Sequence, residues 1–215
     1  MRTTVAFPST NPRVRPRRLD VLSDSWYVLR KAVFDYQHSD GTWSTQEREA
    51  YDRGNGATIL LFDPRRRTVV LTRQFRVPAY LNGHPDGVLI EAAAGLLDDD
   101  NDSDDAERAI RREAEEETGY RVGHVTRLFE LFMSPGSVTE RVAFFAADYT
   151  PADRRADGGG LADEGEDIEV LELALDDAWA MVERGEIVDG KTVLLLQWAR
   201  AQPSTTSVGA EISAG

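Results

Sequence analysis

The chain of 215 residues contains no cysteine and only three histidines. Disulfides and thiolate metal centres are thereby excluded, and a reducing cytoplasm is the expected compartment. No stretch approaches about 18 uninterrupted apolar residues, and no apolar segment opens the chain, so neither a membrane span nor a secretory signal is expected. Basic charge is scarce: 25 Lys and Arg stand against 38 Asp and Glu, a net charge of −13. Binding a phosphate backbone needs a basic face, so nucleic acid is not an expected partner. A small phosphorylated ligand is compatible with this acidity, because a few local cations or a bound divalent metal offset it within one cleft. The apolar fraction of 41% provides a real core, and the length suits one α+β domain with an appended element or two small domains.

Residues 1–18 are rich in Pro, Ser, Thr and Arg without periodicity, and a loose arm is expected there, with a second loose tail over 202–215. Two β-type runs, Trp26–Tyr36 and Thr42–Tyr51, flank the turn signal Asp40-Gly41, which predicts an antiparallel N-terminal sheet over 19–53. Over 54–201 the pattern predicts strands at Ala57–Phe62, Thr68–Phe75, Gly87–Ala93, Val122–Met133, Val138–Tyr149 and Ile168–Leu173. Helices are predicted at Ser103–Thr118, Asp176–Arg184 and Lys191–Arg200. Pro151–Gly165, with Gly158-Gly159-Gly160, reads as a loop flexible by composition. This order implies a mixed sheet covered by helices, not a regular βαβ alternation.

The acidic residues are unevenly spread, and one group bears on chemistry. Glu113, Glu116 and Glu117 are spaced to share one face of the predicted helix, with neighbouring Cβ atoms roughly 5–6 Å apart, while Glu115 points elsewhere. The three lie at the helix C-terminal end, where the helix dipole does not favour acid. Like charges so close cost a few tenths of a kcal/mol in water but about 3 kcal/mol at an effective dielectric of 20, so in a cleft a divalent cation is the natural compensation. Hard carboxylate oxygens without Cys or His favour magnesium, or manganese, over zinc.

Before the helix stands Ala92-Ala93-Ala94-Gly95 at the end of a predicted strand. The unit from Gly95 to Tyr120 resembles the Nudix box, G-x5-E-x7-R-E-U-x-E-E-x-G-U with U apolar. Its second half matches in full at Arg112, Glu113, Ala114, Glu116, Glu117, Gly119 and Tyr120. Its first half is longer: sixteen residues separate Gly95 from Arg112 against thirteen in the consensus, and Asp104 stands where the consensus Glu falls. Beyond the box, Tyr51–Thr58, Arg73–Arg76, Ser134–Glu140 and Asp189–Thr192 resemble the nucleotide-sugar branch of that superfamily, the GDP-mannose pyrophosphatases close to the ADP-ribose pyrophosphatases.

This resemblance implies a Nudix fold: a mixed-sheet α/β/α sandwich with an N-terminal antiparallel sheet exchanged across a homodimer. It also implies metal ligation by the Ala94 carbonyl, Glu113, Glu117 and Glu166, with Glu116 close by and Mg2+ or Mn2+ as the ion. Glu164 aligns with the general base of the ADP-ribose enzymes, or else is a solvated carboxylate. Substrate contacts implied are Arg76, Glu140 and Lys191, together with Trp26 and the segment Glu47, Arg48 and Glu49 reaching across the dimer. Arg112 is expected to orient the carboxylates by ion pairing. The implied reaction is hydrolysis of a nucleoside diphosphate sugar at its pyrophosphate. Two rival readings are ADP-ribose hydrolysis and a Nudix-fold sensor that binds without cleaving.

Overall fold

The run Gly56-Ala-Thr-Ile-Leu-Leu-Phe-Asp63 has no polar–apolar alternation, and it forms a strand buried along its whole length. Such a strand must be covered on both faces, and its neighbours supply the cover. The computed structural model describes residues 4–5, 7–97, 103–161 and 165–203. They divide into two compact units, one through Asn55 with Phe132–Arg141 added, the other comprising the rest from Gly56.

The first unit is a four-stranded sheet in chain order: β1 (Thr4–Val5), β2 (Val14–Asp24), β3 (Val28–Gln37) and β4 (Trp43–Asp52). All its pairings are antiparallel. The Asp40-Gly41 signal makes the β3–β4 turn: Asp40 accepts the Thr42 backbone N–H at 2.9 Å, and Gly41 adopts φ 86°. The loose arm expected over 1–18 is corrected here, because β2 begins at Val14. Its arginines are engaged across strands: the Arg15 guanidinium lies 3.8 Å from the centre of the Trp43 ring, and Arg17 pairs with Asp35 at 2.7 Å. Pro16, which hid the strand from the sequence pattern, sits at a β-bulge. Phe132–Arg141 packs with the first unit. Tyr51 N–H donates to the Ser137 carbonyl at 2.8 Å and Thr139 N–H to that of Tyr51 at 3.0 Å, so this segment extends the first unit.

The second unit is built on a seven-stranded mixed sheet. Its strands are β5 (Gly56–Asp63), β6 (Thr68–Phe75), β7 (Val88–Glu91), β8 (Ala93–Leu96), β9 (Val125–Phe132), β10 (Arg141–Asp148) and β11 (Glu169–Ala174). The order is β11-β6-β5-β10-β9, with β7 on β6 and β8 on β5; β10 runs parallel to β5. The expected strand over Gly87–Ala93 is thus two, broken at Ala92, whose N–H donates to the Thr192 hydroxyl at 2.7 Å instead of to a strand. Its helices are α1 (Val77–Leu81), α2 (Ser103–Thr118), α3 (Leu175–Glu183) and α4 (Gly190–Ala201). The five-residue α1 was not expected. It is too short to show a helical period, and Pro78 fits its first turn.

Alternation along β5 sends Ala57, Ile59 and Leu61 to one side, where they pack with Ala106, Ile110 and Ala114 of α2. Phe62 points to the other side and meets Trp198 of α4 edge-on, ring centres 6.4 Å apart. This is an α/β/α sandwich, the architecture that the resemblance implies. Among the described residues no helix is long and apolar enough to cross a membrane. The tail beyond Pro203 lies outside the described residues.

Candidate active site

The apolar stripe that docks α2 on the sheet continues, at the helix C-terminal end, into an acid. Glu117 is 2% exposed. Its Oε2 accepts the Ala94 backbone N–H at 3.2 Å, so the helix is latched to β8 through the residue expected to offer its carbonyl to a metal. Gly95 explains itself here: a Cβ on it would occupy the place of the Glu113 carboxyl group. Burial pushes the Glu117 carboxyl up, the Ala94 N–H pulls it down, Glu166 and Glu113 push it up again and Arg76 opposes them. The result is about 8. Groups from four places, β8, α2, β6–α1 and the loop before β11, therefore share one electrostatic environment.

Glu113 and Glu116 are half-buried beside Arg112, with N–O distances of 3.8 and 3.9 Å, so Arg112 borders the carboxylates as expected. Glu115 is exposed. Glu166 accepts the Leu161 N–H at 2.9 Å. Glu164 lies outside the described residues, as does the loop over 98–102; of Asp104 only the backbone is described. Among the described residues no group of three or more Asp, Glu, His or Cys side chains closes into a metal cage by itself. The oxygen set expected from the sequence includes the Ala94 carbonyl as well.

Arg76 and Lys191, the two cations among the implied substrate contacts, are held by a residue that the sequence pattern did not single out. Glu91, 2% exposed, accepts Arg76 Nε at 2.9 Å and Nη2 at 3.0 Å, and also Lys191 Nζ at 2.5 Å. Burial alone would raise the Glu91 carboxyl, but the Arg76 hydrogen bonds and the charges of Lys191 and Arg76 bring it to about 2. Asp189 adds a second carboxylate 3.1 Å from Lys191, while its side chain caps α4 by accepting the Thr192 N–H at 3.0 Å. A lone acid in the apolar stretch Val88-Leu89-Ile90-Glu91-Ala92-Ala93 was the available signal, since a buried charge demands a partner.

The remaining expected residues belong to the first unit. Glu140 pairs with Arg53 at 3.4 Å. Trp26 is 85% exposed, and its ring meets that of Tyr27 edge-on. Glu47 pairs with Lys31, Arg48 Nη1 donates to the Glu47 carbonyl at 2.7 Å, and Glu49 is exposed.

Comparison with known proteins agrees with this layout. The NUDIX domain family matches residues 52–196, and the family described as the GDP-mannose pyrophosphatase NudK N-terminal domain matches residues 13–51. A GDP-mannose pyrophosphatase of Klebsiella pneumoniae is 55% identical over 178 residues, 83% of this chain and 87% of the relative. One from Pectobacterium atrosepticum is 55% identical over 179 residues, 83% and 90% respectively. A crystal structure of an ADP compounds hydrolase superposes with TM-score 0.64 over 90% of this chain and 95% of that one, at 18% identity, a likeness of fold. The NUDIX match spans more than half of the chain and the curated relatives cover most of it: the chain belongs to the Nudix family, in the group of the GDP-mannose pyrophosphatases.

Proposed function

We propose that this protein hydrolyses the pyrophosphate bond of a nucleoside diphosphate sugar, with GDP-mannose as substrate and GMP and mannose 1-phosphate as products. The observation that carries the chemistry is the buried Glu117 carboxylate beside Glu113 and Glu166, in a chain 55% identical to GDP-mannose pyrophosphatases.

The donors fit a hard divalent cation. A carboxyl pushed to about 8 by burial and by two acidic neighbours is relieved by one positive ion, and every donor on offer is oxygen. Glu113, Glu117, Glu166 and the Ala94 carbonyl would hold it, with Mg2+ or Mn2+ as the ion. When bound, such an ion neutralises phosphate oxygens and acidifies an attacking water. Glu164, or a neighbouring carboxylate such as Glu116, takes the proton of that water. Arg76, held through Nε and Nη2 by Glu91, and Lys191 are the cationic partners of the pyrophosphate. Glu140 accepts from sugar hydroxyls. Trp26 stacks on the base, and Trp26, Glu47, Arg48 and Glu49 reach the site from the second subunit of a homodimer. A cytoplasmic location fits a chain without cysteine.

The test is a hydrolysis screen of GDP-mannose, ADP-ribose and GDP-glucose with and without Mg2+. Release of GMP and mannose 1-phosphate in preference to the other products supports the reading. Preference for ADP-ribose transfers the chain's activity to that substrate, and absence of Mg2+-stimulated cleavage across the panel replaces enzyme by sensor.

A further inference from the structure

The stretch Gly158-Gly159-Gly160 reads as slack chain, yet its backbone is tied to the end of α2. The last carbonyls of a helix have no partner within it. Here three glycine N–H groups supply partners: Gly119 donates to Glu115 at 2.9 Å, Gly160 to Glu116 at 3.2 Å and Gly159 to Glu117 at 3.0 Å. Gly158 adopts φ 76°, and a Cβ on it would lie 2.5 Å from the Glu117 carbonyl oxygen, so this approach requires glycine. On its other side the same turn is closed by Ile168 N–H donating to Gly159 at 3.3 Å.

While its N–H reaches the helix, the Cβ position of Gly160 faces Glu166 and the tip of the Ile168 side chain. Gly160 adopts φ 74°, and a Cβ on it would overlap Oε2 of Glu166 and lie 2.8 Å from the Glu166 Cβ. That same Oε2 accepts the N–H of Leu161, and the Glu166 N–H returns to the Leu161 carbonyl at 3.3 Å. The turn therefore binds the carbonyls of two site residues, Glu116 and Glu117, at one end and seats the Glu166 carboxylate at the other. Glu166 in turn raises the Glu117 carboxyl by its charge.

We infer that Gly158–Gly160 is a positioning element that fixes the Glu166 carboxylate against the C-terminal end of the acidic helix, with the bare Cβ position of Gly160 acting on the cation through Glu166. The inference rests on the reading of Glu166 as a cation ligand and adds the device that aims it.

Mn2+ binding to the full-length protein, followed by the free-ion EPR signal, tests this without relying on turnover. Glu166→Ala and Gly160→Ala should each weaken Mn2+ binding by about 10-fold or more, the scale of losses on disturbing a metal site. The double variant should bind no worse than Glu166→Ala within about two-fold, because a group acting only through Glu166 has no effect once it is gone. Gly185→Ala is the control for backbone strain: Gly185 has φ 75° with open space around its Cβ position, and this variant should match wild type. Gly160→Asn carries the same Cβ in a residue that tolerates positive φ, and serves if Gly160→Ala does not fold. Mn2+ affinity of Gly160 variants equal to that of Gly185→Ala, or additive losses in the double variant, would overturn the positioning role. Wild-type affinity in Glu166→Ala would remove the ligand reading itself, and the inference with it.

Discussion

Lys191 Nζ stands 2.5 Å from Glu91 Oε2, across a hundred residues of chain, and the opposite oxygen of that carboxylate receives Arg76. A buried acid thus holds two cations at the N-terminus of α4 and the end of β6. Removing one partner of a buried charge group costs about 3–5 kcal/mol, while removing matched partners costs less. Glu91→Gln should therefore lower stability by more than about 2 kcal/mol, and Glu91→Gln with Lys191→Met by less than the sum of the two single changes. Urea denaturation of the four proteins checks this; additive losses would contradict it.

The same carboxyl sets an acid limit. Its folded value of about 2 lies below the ordinary 4.5, so its stabilisation is complete above pH 4.5 and is lost as pH falls from there toward 2. The difference corresponds to roughly 3 kcal/mol at neutral pH. Denaturation midpoints measured between pH 7 and pH 3 should fall less steeply in Glu91→Gln than in wild type. Parallel curves would assign the acid sensitivity to other carboxylates.

Why Glu91 escaped the sequence reading is physical. Its partners lie 15 and 100 residues away, so no local period records them. Helix α2 was legible to the residue, because its apolar and acidic positions repeat at helical spacing and Gly119 stops it. The arm over 1–18 was misread because Arg15, Arg17 and Pro16 look like solvated chain until Trp43 and Asp35 are brought opposite them. Gly158-Gly159-Gly160 suggested freedom by composition. In the fold the missing Cβ atoms permit contact with the Glu117 carbonyl and the Glu166 carboxylate.

The break between β7 and β8 makes another prediction. The Thr192 hydroxyl accepts the Ala92 N–H at 2.7 Å and donates to Asp189 at 2.6 Å, with no exposure of the residue. Thr192→Val keeps the shape and strands a buried N–H, a loss of about 1–3 kcal/mol. Thr192→Ser should recover most of it. Thermal melting of the two variants checks this, and an equally stable Thr192→Val would show the hydroxyl to be dispensable.

Trp26 separates packing from binding. At 85% exposure its truncation to Ala should change stability by less than about 0.5 kcal/mol. If it stacks on the substrate base, KM for GDP-mannose should rise about 5- to 100-fold, the scale of aromatic–base stacking. An unchanged KM would leave Trp26 without a role in substrate binding.

GDP-mannose turnover against Mg2+ concentration, for wild type and Glu117→Gln, tests most directly whether Glu117 belongs to a cation site that cleaves a nucleotide sugar. Gln keeps the shape and the oxygen facing Ala94 but removes the charge. Wild type should release GMP and mannose 1-phosphate in a Mg2+-dependent manner. In the variant turnover should fall more than about 100-fold, since even outer partners of metal sites are worth 10- to 100-fold, with melting temperature preserved. Near-wild-type turnover in Glu117→Gln, or turnover indifferent to Mg2+, would contradict a cation site at Glu117.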